Sequence, residues 1–228
     1  VGAAIAYNYV GGDPGDPTRD ITENRDDSAT GQVIARIDAS TATAQTGMVT
    51  VAANSVARIF NVTVGASGAG ELALSGSVSV NFMKEDVQAQ VTGGADITGQ
   101  TGVNIAATDS PVMLIVAGAG AGAGTAAVGL ASATNDIRSN VAAFVEGSGT
   151  SVTATAGDVQ VQAGLRSNSD LPGSGTGISG ARPDPGADPL DSQIWALTVA
   201  GAGAGEFAGA GALSLNWLRA TVNAHIAA

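Results

Sequence analysis

Asn81 opens NFMKEDVQAQV, Asn135 opens NDIRSNVAAFV and Asn216 opens NWLRATVNAHI. In each segment a valine follows six residues later (Val87, Val141, Val222), an alanine eight later (Ala89, Ala143, Ala224) and a branched aliphatic ten later (Val91, Val145, Ile226). A fourth copy is VIARI, with Val33, Ala35 and Ile37. Val33 to Val87 and Val87 to Val141 are each 54 residues, whereas Val141 to Val222 is 81, an excess of 27 that matches the length of segment 167–193. Asn8 to Asn81 is 73, and its excess of 19 falls in GGDPGDPTRDITENRDDSATG. The chain reads as one repeat array over 1–228 with two long insertions, at about 11–31 and 167–193. A unit that recurs at fixed period buries its apolar surface by stacking on its neighbours, so a missed repeat miscalls the fold.

Each repeat contains a glycine-rich stretch, and VMLIVAGAGAGAGTAAVGLASATN (112–135) is one that holds no charged side chain. A membrane helix needs about 20 apolar residues, and this stretch alone would qualify. Its two aligned siblings carry Glu71 and Glu206 in mid-segment, so the period-two reading is preferred. Phe60, Val62, Val64, Ala66, Gly68, Gly70, Leu72 and Leu74 then form one set, and Asn61, Thr63, Gly65, Ser67, Ala69, Glu71, Ala73 and Ser75 the other. That alternation predicts a half-buried strand with its apolar and glycine set turned inward. At ~3.3 Å per residue such a strand would run roughly 75 Å if straight, so it must turn. Inward glycines would mark the corner, with Gly203 intolerant of bulk and the outward Ala202 tolerant of it.

Short β-type runs separated by Gly, Ser, Thr and Asn turns predict an all-β parallel β-solenoid (β-helix) of 54-residue repeats, cut as three rungs of 18 or two of 27. An antiparallel β-sandwich array is the alternative. With 33 glycines and 4% aromatic residues the chain suits many closely stacked elements better than a bulky core. Its net charge of −11 would repel nucleic acid. There is no cysteine and a single histidine, His225, which removes thiol chemistry and histidine clusters from consideration. The chain opens at Val1 inside a patterned segment and reads as an excised piece of something longer.

The pattern LSGSVSVNF, then VQAQVTGGADITGQTGVNIAA, resembles the repeat region of large bacterial exoproteins, the filamentous-haemagglutinin-like and leukotoxin-like filamentous adhesins. The resemblance covers the chain outside its two insertions. It implies a β-helical, non-enzymatic structural or adhesive module, extracellular or on the bacterial cell surface, whose partners are neighbouring repeats of the same longer chain. Host-cell, carbohydrate or self association would be further partners, with no nucleic acid and no membrane span in this fragment. The Asp- and Pro-rich insertions depart from the plain repeat.

The first insertion gathers Asp13, Asp16, Asp20, Glu23, Asp26 and Asp27 with Arg19 and Arg25. Such a loop offers the oxygens that calcium takes, but it lacks the spacing of an EF-hand or a calcium nonapeptide, and a solvated acidic excursion is the plainer expectation. The second insertion places Asp170, Asp184, Asp188 and Asp191 among four prolines, which block edge pairing. The recurring asparagines are expected to satisfy turn backbone or to stack on one another. His225 aligns with Arg36, Gln90 and Phe144, a position of variable chemistry that predicts a surface residue. A carbohydrate-active β-helix would carry two or three carboxylates on one strand face. Those faces hold Ser, Thr, Asn and Ala instead, so no catalytic residue is assigned.

Overall fold

The computed structural model describes residues 1–11, 31–166 and 194–227, and every regular element among them is a strand. The strands are β1 (Gly2–Val10), β2 (Gly31–Asp38), β3 (Thr41–Ala44), β4 (Met48–Ser55), β5 (Arg58–Ala69), β6 (Leu72–Thr92) and β7 (Asp96–Gly99). They continue as β8 (Gly102–Asp109), β9 (Val112–Ala123), β10 (Ala126–Glu146), β11 (Ser151–Ala154), β12 (Asp158–Leu165), β13 (Ile194–Gly203) and β14 (Phe207–Ala227). All pairings among the described residues are parallel. The antiparallel sandwich is therefore excluded there, and the stretch from Val112 forms β9, a turn and the start of β10 rather than a helix. No helix among the described residues is long and apolar enough to cross a membrane.

Register settles how the repeat is cut. Val33 lies opposite Val87, Val87 opposite Val141, and Val141 opposite Val222. Each strand pairs with its counterpart in the next repeat and with none in its own. The expected rungs of 18 or 27 are thus corrected to a single layer of 54 residues, which gives one strand to each of four sheets. Subdivision fails physically because the four strand positions differ in length, at 21, 4, 8 and 12 residues for β6 to β9, so no shorter unit can superpose on itself. The excess lengths fall where the spacing put them. Val10 sits opposite Met83 and Gly31 opposite Glu85, so these two residues, 21 apart in sequence, face positions that only Lys84 separates.

Each layer folds into two unequal lobes. The C-terminal halves of β6 and β10 close against β4, β7, β8 and β12 around Val87, Ala89, Val91, Ile97, Val103, Ile105, Val141 and Val145. These side chains are at most 1% exposed, and apolar burial of this kind, at roughly 25 cal/mol per Å2, is what holds the layers together. The N-terminal halves of β6, β10 and β14 instead double back on β5, β9 and β13 through the turns Gly70–Glu71, Gly124–Thr125 and Gly205–Glu206. This second lobe is flat. A methyl group on Gly65 would lie 2.1 Å from the Gly76 carbonyl oxygen, and one on Gly129 would lie 2.5 Å from that of Gly201. Backbone therefore faces backbone, far inside the ~10 Å that separates sheets packed through larger side chains.

That closeness reverses the expected faces. Inside the flat lobe lie Ala73, Ser75, Ser77, Ser79, Asn81, Asn61 and Thr63, all buried. Outside lie Phe60, Val62 and Val64 at 63%, 53% and 60% exposure. The alternation is as expected, but the apolar and glycine set is the outer one. Gly120, Gly122, Gly201 and Gly203 point into open space, and the neighbouring alanines point inward. The glycines that admit a close backbone are Gly65 and Gly129, on the opposite phase.

Candidate functional site

The chemistry of the described residues collects at the neck between the two lobes and on the outside of the flat one. At the neck, Asn8, Asn81, Asn135 and Asn216 occupy one register column. Each side-chain amide donates to the next, Asn8 Nδ2 to Asn81 Oδ1 at 2.8 Å, Asn81 Nδ2 to Asn135 Oδ1 at 2.7 Å and Asn135 Nδ2 to Asn216 Oδ1 at 2.7 Å. Asn61 on the facing sheet donates to Asn81 Oδ1 and Ser79 Oγ at 3.0 and 2.8 Å. The column is a mid-strand ladder buried between sheets, so of the two expected roles stacking is the observed one. Asn81 and Asn135 both donate and accept along the axis, which fixes the register of the layers. Asn81→Asp should therefore destabilise the fold by about 3 kcal/mol, because a buried carboxylate cannot donate and would face the oxygen of Asn135. Urea denaturation measures this; an unchanged midpoint would remove the ladder from the stability account.

Two steps further along the inward phase, past Met83, sits a buried carboxyl pair. Glu85 on β6 and Asp109 at the end of β8 are 8% and 0% exposed. Ser55 Oγ donates to Glu85 Oε1 at 3.0 Å, and Ser139 Oγ donates to Asp109 Oδ2 at 2.5 Å. Ser55 is the register partner of Asp109, and Ser139 that of Glu85, so the four groups form a square across two layers. Burial, then the hydrogen bond and charge of Asp109, push Glu85 up to about 7, against which the Ser55 hydroxyl pulls only weakly. The two carboxyls lie within hydrogen-bonding reach of each other, an arrangement that is favourable when they share a proton. No single stretch of sequence announces the pair, since its members stand 24 residues apart. The period-two phase that makes Val87 and Ala89 inward also makes Glu85 inward, and that was the available signal.

On the outer face of the same strands, Lys84, Arg138 and Arg219 share one column. With Gln32, Asp86, Asn140 and Thr221 they line a shallow groove beside the root of the first insertion. Asp86 already accepts from Asn140 Nδ2 at 2.8 Å and from Gln88 Nε2 at 2.7 Å, and Arg138 Nε lies 3.3 Å from Asp136 Oδ2. His225 stands outside in the column of Arg36, Gln90 and Phe144, its ring stacked on Phe144 and its Nε2 2.6 Å from Glu146 Oε1. The calcium candidates Asp13, Asp16, Asp20, Glu23, Asp26 and Asp27 all lie outside the described residues, as does the second insertion. Among the described residues no three His, Asp or Glu side chains come together as a metal site.

The third feature is the outer face of the β5-β9-β13 sheet. Register arranges it in five columns from neck to tip: Phe60, Leu114, Trp195; Val62, Val116, Leu197; Val64, Gly118, Val199; Ala66, Gly120, Gly201; and Gly68, Gly122, Gly203. Bulk is confined to the neck half and glycine to the tip half. No residue of segments 59–70, 112–124 or 194–205 is charged. The chain matches no family model, no curated protein and no solved structure, so these arrangements carry the functional argument alone.

Proposed function

We propose that this chain is a structural and adhesive repeat module of a secreted or cell-surface protein, a stiff spacer whose parallel sheets are successive turns of a β-solenoid. The observation that carries the reading is the uniform register: every strand position pairs with its counterpart one repeat away, through four sheets and one asparagine ladder. Such a body extends by adding layers, and each layer resists bending because its hydrogen bonds run along the axis. The buried carboxyls are enclosed between sheets, which supports a structural role for the pair. Neighbouring repeats of a longer chain are the natural partners of the end layers, where ladder groups otherwise stay open.

The test is the shape of longer arrays. Chains with one, two and four further 54-residue copies, examined by small-angle X-ray scattering, should keep a constant cross-section and lengthen by about 4.8 Å per copy. A radius of gyration that grows as for a compact globule would reject the spacer reading.

A further inference from the structure

The outer face of the β5-β9-β13 sheet is a large apolar surface without a charged residue. Uncovered surfaces of this extent mark contact sites. We propose that this face is a self-association surface, packed in a two-fold manner against the same face of a second copy. The inference goes beyond the spacer reading and does not need it.

The relief of the face selects this occupant. A two-fold axis lying in the interface, parallel to the stacking direction and over the Gly118 column, carries the first column onto the fifth and keeps each layer opposite the same layer. Phe60 then lies over Gly68 of the second copy, Leu114 over its Gly122, and Trp195 over its Gly203. Phe60 is 63% exposed against 9% for Leu114, and a methyl on Gly122 or Gly203 would meet nothing within 4 Å, so Phe60 projects and the flat half is clear. A self-complementary patch of this kind is what closed dimers use, whereas a lipid surface requires no such matching of bulk to glycine. Charge follows the same axis. Arg58, close to Phe60 at the neck end, is brought over the Gly70–Glu71 tip of the second copy, and both Arg58 and Glu71 are exposed. No like charges are brought together between those ends, despite the net charge of −11.

Size sets the strength. Ten residues at ~3.3 Å by three layers at ~4.8 Å give a footprint of roughly 480 Å2 per copy, below the roughly 800 Å2 per partner of a stable interface. Three layers should thus pair weakly, and each added layer should tighten the pair.

Sedimentation velocity on the 228-residue chain from about 1 to about 200 μM tests this. The expected result is a reversible monomer–dimer equilibrium. Gly122→Leu should raise Kd at least about tenfold, because added apolar bulk spoils the match. Gly76→Leu, the same change on the outer face of the opposite sheet, should leave Kd unaltered. Phe60→Ala reads the contact from its other side and should weaken it too. Arg58→Glu and Glu71→Arg should each weaken it, and the double variant should recover. Thermal melts of dilute protein show whether each variant is folded. A monomer at all concentrations, a dimer indifferent to Gly122→Leu, a double charge variant that does not recover, or flotation with phosphatidylcholine vesicles in place of dimerisation would overturn the proposal.

Discussion

Alanine at Gly65 or Gly129 should unfold this protein far more readily than valine at Gly203. At Gly65 the new methyl would sit 2.1 Å from the Gly76 oxygen, and at Gly129 it would sit 2.5 Å from the Gly201 oxygen. Both obstacles are backbone in paired strands, which cannot rotate aside as a side chain can. Relief requires the two sheets of the flat lobe to part, and overpacking of this sort costs about 3 kcal/mol or more per site. For a chain of this size that is roughly 6–12 °C in Tm. Gly203 points outward with nothing within 4 Å of an added methyl, and valine suits a strand better than glycine does. Its Tm in dilute protein should be unchanged or slightly raised. A Gly203→Val variant that melts as low as Gly129→Ala would mean that the glycine set faces the interior after all.

Stability should fall as pH rises from about 4.5 to about 7, a range fixed by the ordinary and native pKa values of Glu85. The sign follows from proton binding. In that window the unfolded carboxyl has already released its proton while the native one keeps it, so rising pH favours the unfolded chain. The favourable contribution is complete below the unfolded pKa and is lost as pH passes the native one. Its size is at most about 3 kcal/mol, reduced in proportion as the rim of the neck admits solvent. Glu85→Gln removes the charge and keeps an oxygen for the Ser55 hydroxyl. It should flatten the profile across this window and raise stability above about pH 8. Urea midpoints measured over the range decide the matter. An identical slope in the variant would place the pH dependence elsewhere.

The two predictions divide along the line between what could and could not be read in advance. The Asn81, Asn135 and Asn216 spacings were enough to align the repeats, and the two excess lengths were enough to place the insertions, because a parallel ladder pairs equivalent residues at every layer. The rung length was not legible. The repeat contains several short β-type runs, and nothing in their composition says whether they stack on one another or only on the next copy. Pairing supplied the answer, through strand lengths that differ within a repeat and match between repeats. The calcium candidates gained nothing from the structure, since they lie outside its described residues. The Glu85–Asp109 square needed both the inward phase of β6 and the contact of β6 with β8, and only the first of these was local.

By itself the sequence determined the period, the register and the existence of two chemically distinct faces on each strand. Which face points inward was decided by tertiary structure. Period two fixes that Phe60, Val62 and Val64 share a side and that Asn61, Thr63 and Gly65 share the other, but the sign was assigned on the ordinary ground that apolar groups leave water. That rule presumes an interior with room for them. In the flat lobe the sheets approach until backbone meets backbone at Gly65 and Gly129, so volume excludes valine and phenylalanine and admits only Gly, Ala, Ser, Thr and Asn; Asn61, Thr63, Ser79 and Asn81 bond to one another, while the Ser75 and Ser77 hydroxyls make no hydrogen bond among the described residues. The apolar set is left outside.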